Sequence, residues 1–400
     1  MRTISYIILS IFIFVSGGCK HNSDKNDYHH YELKVTPDIL SFQLDNNTSL
    51  LIKALFLFTD KDGKEYLTFQ NDKEPEILFY SIDNKQIYKK LELEVEGNNG
   101  VGAFLGYYIK NMDEIYLTSL YYPTIIKINR NGEIIEKTNL QEYTEKPITS
   151  FQSMSFCYRP IFFINNKMYI HQSVNKENGG DNFITKSPLT ITLDTLSKEI
   201  AISTFTFPPI LEPGDYFTNS LGVEYNYSCC FDEKNIIYSF GSDENIYITS
   251  TENDLEKKIP IKSQYIKDIT PPKHRPEDIQ EGIRKMSEIA LYGNLIYDKY
   301  RDVYYRIAYP KTEIDNKENG SDIWQFGRKL FSIIILDNEF NIIGETLFPE
   351  YTYISTLMFI REDGLYISDS HYKNSDFEEN SLSFRRFELK KTPETNSGKE

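Results

Sequence analysis

An all-β fold built from a repeated antiparallel meander is what this 400-residue chain predicts, and three observations predict it. The first is composition: 14% of residues are aromatic, with 30 Tyr and 26 Phe against one Trp. Aromatic and β-branched side chains suit a half-buried pleated surface. The second is a recurring phrase centred on a tyrosine: KEYLTF (Tyr66), EIYLTS (Tyr116), KMYIHQ (Tyr169), NIIYSF (Tyr238), DVYYRI (Tyr304) and GLYISD (Tyr366). Before each copy lies an apolar strand ending in a turn rich in Asp or Asn, and after the first five lies a hairpin. Asp, Asn and Gly favour such turns because they tolerate the backbone or bond back to it. Each unit is therefore a four-stranded meander.

The third observation is a deficit at the end. The last copy, STLMFIRED, GLYISDS and LSFRRFELKK, has only three strands. A partner is available in ILSFQLD, residues 39 to 45, which precedes the first unit and has no other neighbour. Repeat architectures of this length form one unit, and radial closure removes open sheet edges. The expectation is a six-bladed β-propeller closed by an N-terminal strand that completes the last blade. On that basis removal of residues 20 to 37 leaves stability nearly unchanged, whereas removal of 20 to 46 strips an edge.

Charge narrows the partners. There are 44 basic and 59 acidic residues, a formal charge of -15. Tracking a polyanion needs clustered Lys and Arg, so nucleic acid is not an expected partner.

The N-terminus carries a targeting signal. Arg2 precedes an apolar run from Ile4 to Val15, too short to span a bilayer and shaped like the core of a secretory signal. Ser16, Gly17 and Gly18 then precede Cys19, in the manner of a lipobox. Residues 1–18 are expected to be removed, leaving a diacylated Cys19 as a membrane anchor. The polar stretch that follows reads as a tether over 19–37, the propeller as 38–390, and 391–400 as a polar tail. The expected location is the cell envelope, as an outer-membrane lipoprotein facing the periplasm or the surface. Cys157, Cys229 and Cys230 leave two readings open, one bridge from Cys157 with a thiol over, or buried free thiols.

The loop EGNNGVGAFLGYYI, residues 96–109, together with YDKYRDVYYRI, residues 297–307, resembles the six-bladed propeller lipoproteins of Bacteroidetes, in particular domain-of-unknown-function family 4221. The resemblance spans nearly the whole mature chain and implies an NHL-like propeller. It brings no catalytic residues to carry over, and fold alone does not fix function.

Long loops fall on one face of such a ring, at 172–188, 309–328 and 369–381, with long links at 208–224 and 263–291. Loops beyond about 12–15 residues are uncommon unless functional or disordered, so this face is the expected site. Within one link, Pro276, Glu277 and Asp278 open a helix expected over 276–292 and closed by Gly293. Ile279, Ile283, Met286 and Ala290 share its apolar face. Two readings stay open for it: a cap on a blade edge, or a lid over the channel.

The polar candidates for ligand binding are Arg159, His171, Arg306, Trp324 and Arg328. Arg159, at the entry of the third inner strand, suits a carboxylate or sulfate. His171 and Arg306 each share a strand face with the tyrosine two residues earlier, and a hydrogen bond between blades is the competing role. Trp324 and Arg328 stand in the fifth blade's loop, where Trp can stack on sugars or pack inward. His274 and Arg275 read as an exposed link. No GxSxG, HExxH, phosphate loop or zinc spacing occurs, so no metal and no cofactor is expected. The functional expectation is a non-catalytic binding or assembly module for a glycan, a peptide or an envelope protein. The alternative is a carbohydrate-active hydrolase or lyase at the channel mouth, which needs two suitably spaced carboxylates.

Overall fold

A computed structural model describes residues 28, 30–145, 148, 155, 157–174, 183–210, 227–270, 276–315 and 317–393. The architecture is all-β and propeller-like. Four sheets of four antiparallel strands follow one another along the chain. The first holds β2–β5 (Lys53–Thr59, Glu65–Gln70, Glu76–Ser81, Ile87–Glu92) and the second β6–β9 (Phe104–Asn111, Glu114–Ser119, Thr124–Ile128, Ile134–Asn139). The third holds β10–β13 (Phe162–Ile164, Lys167–His171, Thr190–Asp194, Ile200–Ile202) and the fourth β14–β17 (Tyr227–Phe231, Ile236–Phe240, Asn245–Thr249, Leu255–Pro260). The six recurring tyrosines fall on the second strand of successive meanders, as the phrase predicts.

The fifth sheet has eight strands in two halves. One half is β18–β21 (Leu291–Asp298, Val303–Tyr309, Ser332–Leu336, Ile342–Leu347). The other is β22–β24 (Ile354–Arg361, Gly364–Ser368, Ser381–Lys391) with the N-terminal strand β1 (Tyr31–Gln43) on its edge. β1 runs antiparallel to β24 from Tyr31↔Lys391 to Gln43↔Ser381. A single parallel pair, Tyr31↔Gly344, joins it to β21. That approach needs a glycine, because a Cβ on Gly344 would lie 2.0 Å from the Tyr31 carbonyl oxygen.

β1 starts eight residues before Ile39, so residues 31–37 are strand rather than tether. Two contacts draw them in: Leu33 is buried, and its N–H donates to Thr346 Oγ1 at 2.8 Å. The register shifts between Val35 and Ile39, around Pro37, where a residue without an N–H fits a bulge on an edge.

Burial grades across each meander. β3 and β4 are buried almost throughout, whereas β5 and β17 face solvent and carry Lys89, Lys90, Lys257 and Lys258. Lysines on an exposed edge discourage pairing with another chain. Between successive meanders the side chains merge into shared apolar clusters, from Phe79 with Tyr107 between the first and second sheets to Val303 with Met358 between the two halves of the fifth. A further cluster joins Phe42, Phe359 and Phe384 to Leu67 and Tyr80, linking the last strands to the first sheet.

Both resemblance motifs are architectural. Gly106, at φ +86°, lets the 155 segment pass so closely that a Cβ there would meet the Ser155 oxygen at 2.1 Å. In the second motif Asp298 is fully buried and accepts from the N–H groups of Tyr300 and Arg301 and from Tyr305 Oη. Its partner Arg301, at 2.7 Å, donates onward to the Arg361 and Glu362 carbonyls of the next turn.

Among the described residues three short α-helices interrupt the strands: α1 (Phe183–Lys186), α2 (Ile279–Glu288) and α3 (Gly320–Phe326). α2 is shorter than the expected 276–292, because Asp278 is its N-cap and β18 takes over at Leu291. Gly293 is therefore a strand residue, and Ile279 is 46% exposed rather than part of the apolar face. Cys157, Cys229 and Cys230 are free thiols. Cys19, His274 and Arg275 lie outside the described residues, as do 175–182, 211–226 and 394–400 of the expected loops and tail. Among the described residues no helix is long and apolar enough to cross a membrane.

Candidate functional site

A cavity of about 740 Å³ is lined by a segment from every meander: Ala54 and Leu55 of β2, Leu105 of β6, residues 157–159 ahead of β10, Tyr227 of β14, Tyr292 of β18 and Ser355 of β22. The volume falls in the range of small-molecule sites, about 300–1,000 Å³. α2 and α3 cover one end of it, with Ile283, Met286 and Ile323 in the lining. α2 thus lines the cavity, and its Met286 also packs on the apolar cluster of the fifth sheet, so both roles stay open.

The two helices are built to pack together. Asp278 Oδ1 accepts from the Glu281 N–H at 2.8 Å, while Glu281 accepts from the Glu277 N–H at 2.6 Å, so the first turn of α2 is capped from both directions. Ile283, Ile314 and Ile323 form a small cluster between α2, its neighbouring loop and α3. Gly320 opens α3 against Gln280, whose Oε1 would sit 2.5 Å from a Cβ there. Phe326, at the end of α3, packs on Tyr372 and Phe377 of the 369–381 loop. In that loop Lys373 pairs with Glu318 at 2.8 Å, and Tyr351 donates to the same carboxylate.

Two of the five polar candidates share the cavity wall. Arg159 is buried at 3% exposure and lies 5.0 Å over the Tyr227 ring. One terminal nitrogen reaches Ser173 Oγ at 3.5 Å, and Nε has no partner among the described residues. Arg328 lies 4.7 Å over the Tyr309 ring. Its Nε and Nη2 donate to the Ser287 carbonyl at 3.1 and 2.7 Å, and Nη2 also to that of Ile289, so the guanidinium closes the C-terminal end of α2, where a cation is favoured. Nη1 of Arg328 has no partner among the described residues, and burial lowers the group to about 10. Tyr309 in turn is held by Ser355 at 2.8 Å.

Two other candidates serve the framework. Arg306 is fully buried and satisfied: Nε donates to Ser239 Oγ at 3.0 Å, Nη1 to the carbonyls of Glu244 and Ile261, and Nη2 to those of Asp243 and Asn245. The Tyr292 ring lies 3.9 Å from its guanidinium. His171 Nδ1 bonds Thr190 Oγ1 at 3.0 Å, and Thr190 bonds Tyr238 of the next sheet at 2.7 Å. Burial, and secondarily the charge of Arg159, lowers His171 to about 3, so it is neutral at ordinary pH. Trp324 sits on α3, and its side chain is outside the described ones.

The lining is electrostatically one-sided. It includes Lys53, Arg159 and Arg328, and no Asp, Glu or His among the described residues. Lys53 already pairs with Asp72. Burial raises the Cys157 thiol to about 12, which keeps it protonated rather than nucleophilic. Among the described residues no group of His, Cys, Asp and Glu is arranged to hold a metal ion. Tyr309, Ser355, Gln325 and Cys157 are wall residues that no sequence motif singles out, since their neighbours in space come from distant meanders.

Sheets of this kind gathered about one lined cavity define a propeller-like all-β protein. The chain belongs to the family described as domain of unknown function (DUF4221), whose pattern matches residues 30–347. A solved member of that family from Bacteroides vulgatus is 27% identical, with a TM-score of 0.76 over 91% of this chain and 100% of its own. An exported-type protein from Bacteroides fragilis is similar in fold alone, at 8% identity and a TM-score of 0.50 over 92% of this chain and 98% of its own. No curated protein matches the chain.

Proposed function

We propose that this chain is a lipid-anchored envelope protein, a closed six-bladed propeller that acts as a non-catalytic binding module, holding its ligand in the central cavity beneath α2 and α3. The observation that carries the reading is the cavity itself, which draws on all six meanders and has a wall without carboxylate or imidazole among the described residues. A glycosidase needs two carboxylates about 5–9.5 Å apart across the substrate, so the wall supports binding over hydrolysis.

Six blades and their closure are supported by the pairing of β1 with β24 and by the cluster around Phe42 that joins the last meander to the first. The single pair at Gly344 favours counting the eight-stranded sheet as two blades. Anchoring at Cys19 rests on the apolar run and small residues ahead of it, and an outer-membrane position on the resemblance to envelope lipoproteins.

The test is native mass spectrometry of the full-length protein purified from envelopes in mild detergent, beside a Ser355→Trp variant that fills the cavity. The reading expects a small molecule released intact from the wild type and absent from the variant. Release of a cleaved product, or an identical load on both proteins, contradicts it.

A further inference from the structure

In a chain carrying 59 acidic residues, the wall of this cavity has three cations and, among the described residues, no acid. One of the three, Lys53, is neutralised by Asp72. Among the described residues the other two are not ion-paired, and each has a donor without an acceptor, Nε of Arg159 and Nη1 of Arg328. Leaving a charged donor unsatisfied away from water is costly, and proteins rarely retain it without a partner from outside the chain. Arg159 has little freedom to find one within the protein. Its ring partner Tyr227 is itself fixed by the carbonyls of Gln172 and Leu189, which holds the guanidinium on the cavity wall.

The contrast with Arg306 sharpens the point. That arginine is fully buried, but every nitrogen of its fork has an oxygen. Arg159 and Arg328 differ from it in standing at the cavity and in being left short of acceptors. Apart from the amides of Asn294 and Gln325, the rest of the wall is mostly apolar or hydroxylic, from Leu55, Leu105 and Met286 to Ser287 and Ser355. A guanidinium offers paired N–H donors to a planar or tetrahedral oxyanion, and apolar walls accept the remainder of such a molecule.

We infer that the cavity takes an organic anion, an oxyacid group on an apolar body, with Arg159 and Arg328 as its anchoring cations. This rests on the cavity being the binding site, and it adds the chemical class of the ligand. Carboxylate and phosphate share the recognition chemistry, and the probes separate them.

The experiment is calorimetric titration of the full-length protein in detergent with benzoate, phenyl phosphate, benzamide and benzamidine, repeated on Arg159→Gln. At least one anion is expected to bind about tenfold or more tightly than benzamide, with benzamidine weakest, and Arg159→Gln is expected to lose that preference. The tighter anion names the oxyacid. Should Arg159→Gln fail to fold, the Nε–H resonances of arginine-labelled wild-type protein give the same reading, moving with the anion and not with benzamide. Benzamide or benzamidine binding as well as the anions overturns the anionic class and leaves cavity binding intact. No binding by any probe at about 10 mM, near the weak limit of specific affinity, overturns both.

Discussion

Phe42 meets Tyr80 edge to face, ring centroids 5.7 Å apart, and so the N-terminal strand β1 packs on the third strand of the first sheet while it pairs with the last strand of the chain. Phe42 is fully buried, whereas Val35 on the same strand is 50% exposed. Phe42→Ala is expected to cost about 3–5 kcal/mol, the usual range for emptying a buried ring site, and Val35→Ala less than about 0.5 kcal/mol. Denaturant titration of the two variants checks this. Equal losses would mean that β1 is not packed as described.

Arg306 ties β19 to the turns of the fourth sheet through carbonyls at residues 243, 244, 245 and 261. Removing it orphans several buried acceptors at once, each worth about 1–3 kcal/mol. Arg306→Ala is therefore expected to lose more than about 4 kcal/mol, and Arg306→Lys to recover only part, because a point charge cannot reproduce the fork. Far-ultraviolet circular dichroism against denaturant measures both. Full rescue by lysine would contradict the hydrogen-bonded role.

Acid should loosen the third and fourth sheets together. His171 ordinarily titrates near 6.5, and burial holds it at about 3 in the folded protein, so the unfolded chain binds the extra proton between those values. Stability is then complete above pH 6.5 and falls as pH drops toward 3, at up to about 1.4 kcal/mol per pH unit. His371, lowered to about 4 by burial and by Lys373, adds in the same direction. Between pH 7 and 5 the wild type is expected to lose more stability than His171→Gln by about 2 kcal/mol. Parallel pH profiles for the two proteins would contradict a neutral buried His171.

Anchoring has its own test. The apolar run before Ser16, Gly17 and Gly18 predicts that Cys19→Ala abolishes incorporation of labelled fatty acid and releases the protein from the membrane fraction. A mutant still labelled and still membrane-bound would contradict the lipobox.

Much of the fold is legible because its signals are local. The tyrosine phrase marks the second strand of each meander, and the Asp and Asn turns are capped by their own side chains, as Asp60 and Asp337 are. The strand around Ile39 is legible by deficit, since the last meander lacks a fourth. Its start at Tyr31 is not, because the pull on Leu33 comes from Thr346, more than three hundred positions away. The site follows the same division. Arg159 and Arg328 are visible as arginines near inner strands and long loops, but nothing local distinguishes them from Arg306. What separates them is whether distant carbonyls happen to reach the guanidinium, which depends on how neighbouring meanders pack. α3 escapes notice for a related reason: seven residues hold little intrinsic helicity, and Gly320 at its start lies against Gln280 of α2.

The central claim is that six copies of one meander form a ring around the site, held shut by β1. Thermal melting of two deletions tests it most directly. Removing residues 20–30 takes the His30 carbonyl that accepts from Thr392 and the contacts of Tyr28, whereas removing 20–46 also takes the whole of β1 with Leu33, Leu40, Phe42 and Leu44. Lost strand hydrogen bonds at about 0.5–1.5 kcal/mol each, with the apolar burial, are large against a total stability of about 5–15 kcal/mol. The account predicts that the shorter deletion melts close to the full-length protein and the longer one melts far earlier or aggregates. Equal melting temperatures for the two deletions would contradict the closure, and with it the ring.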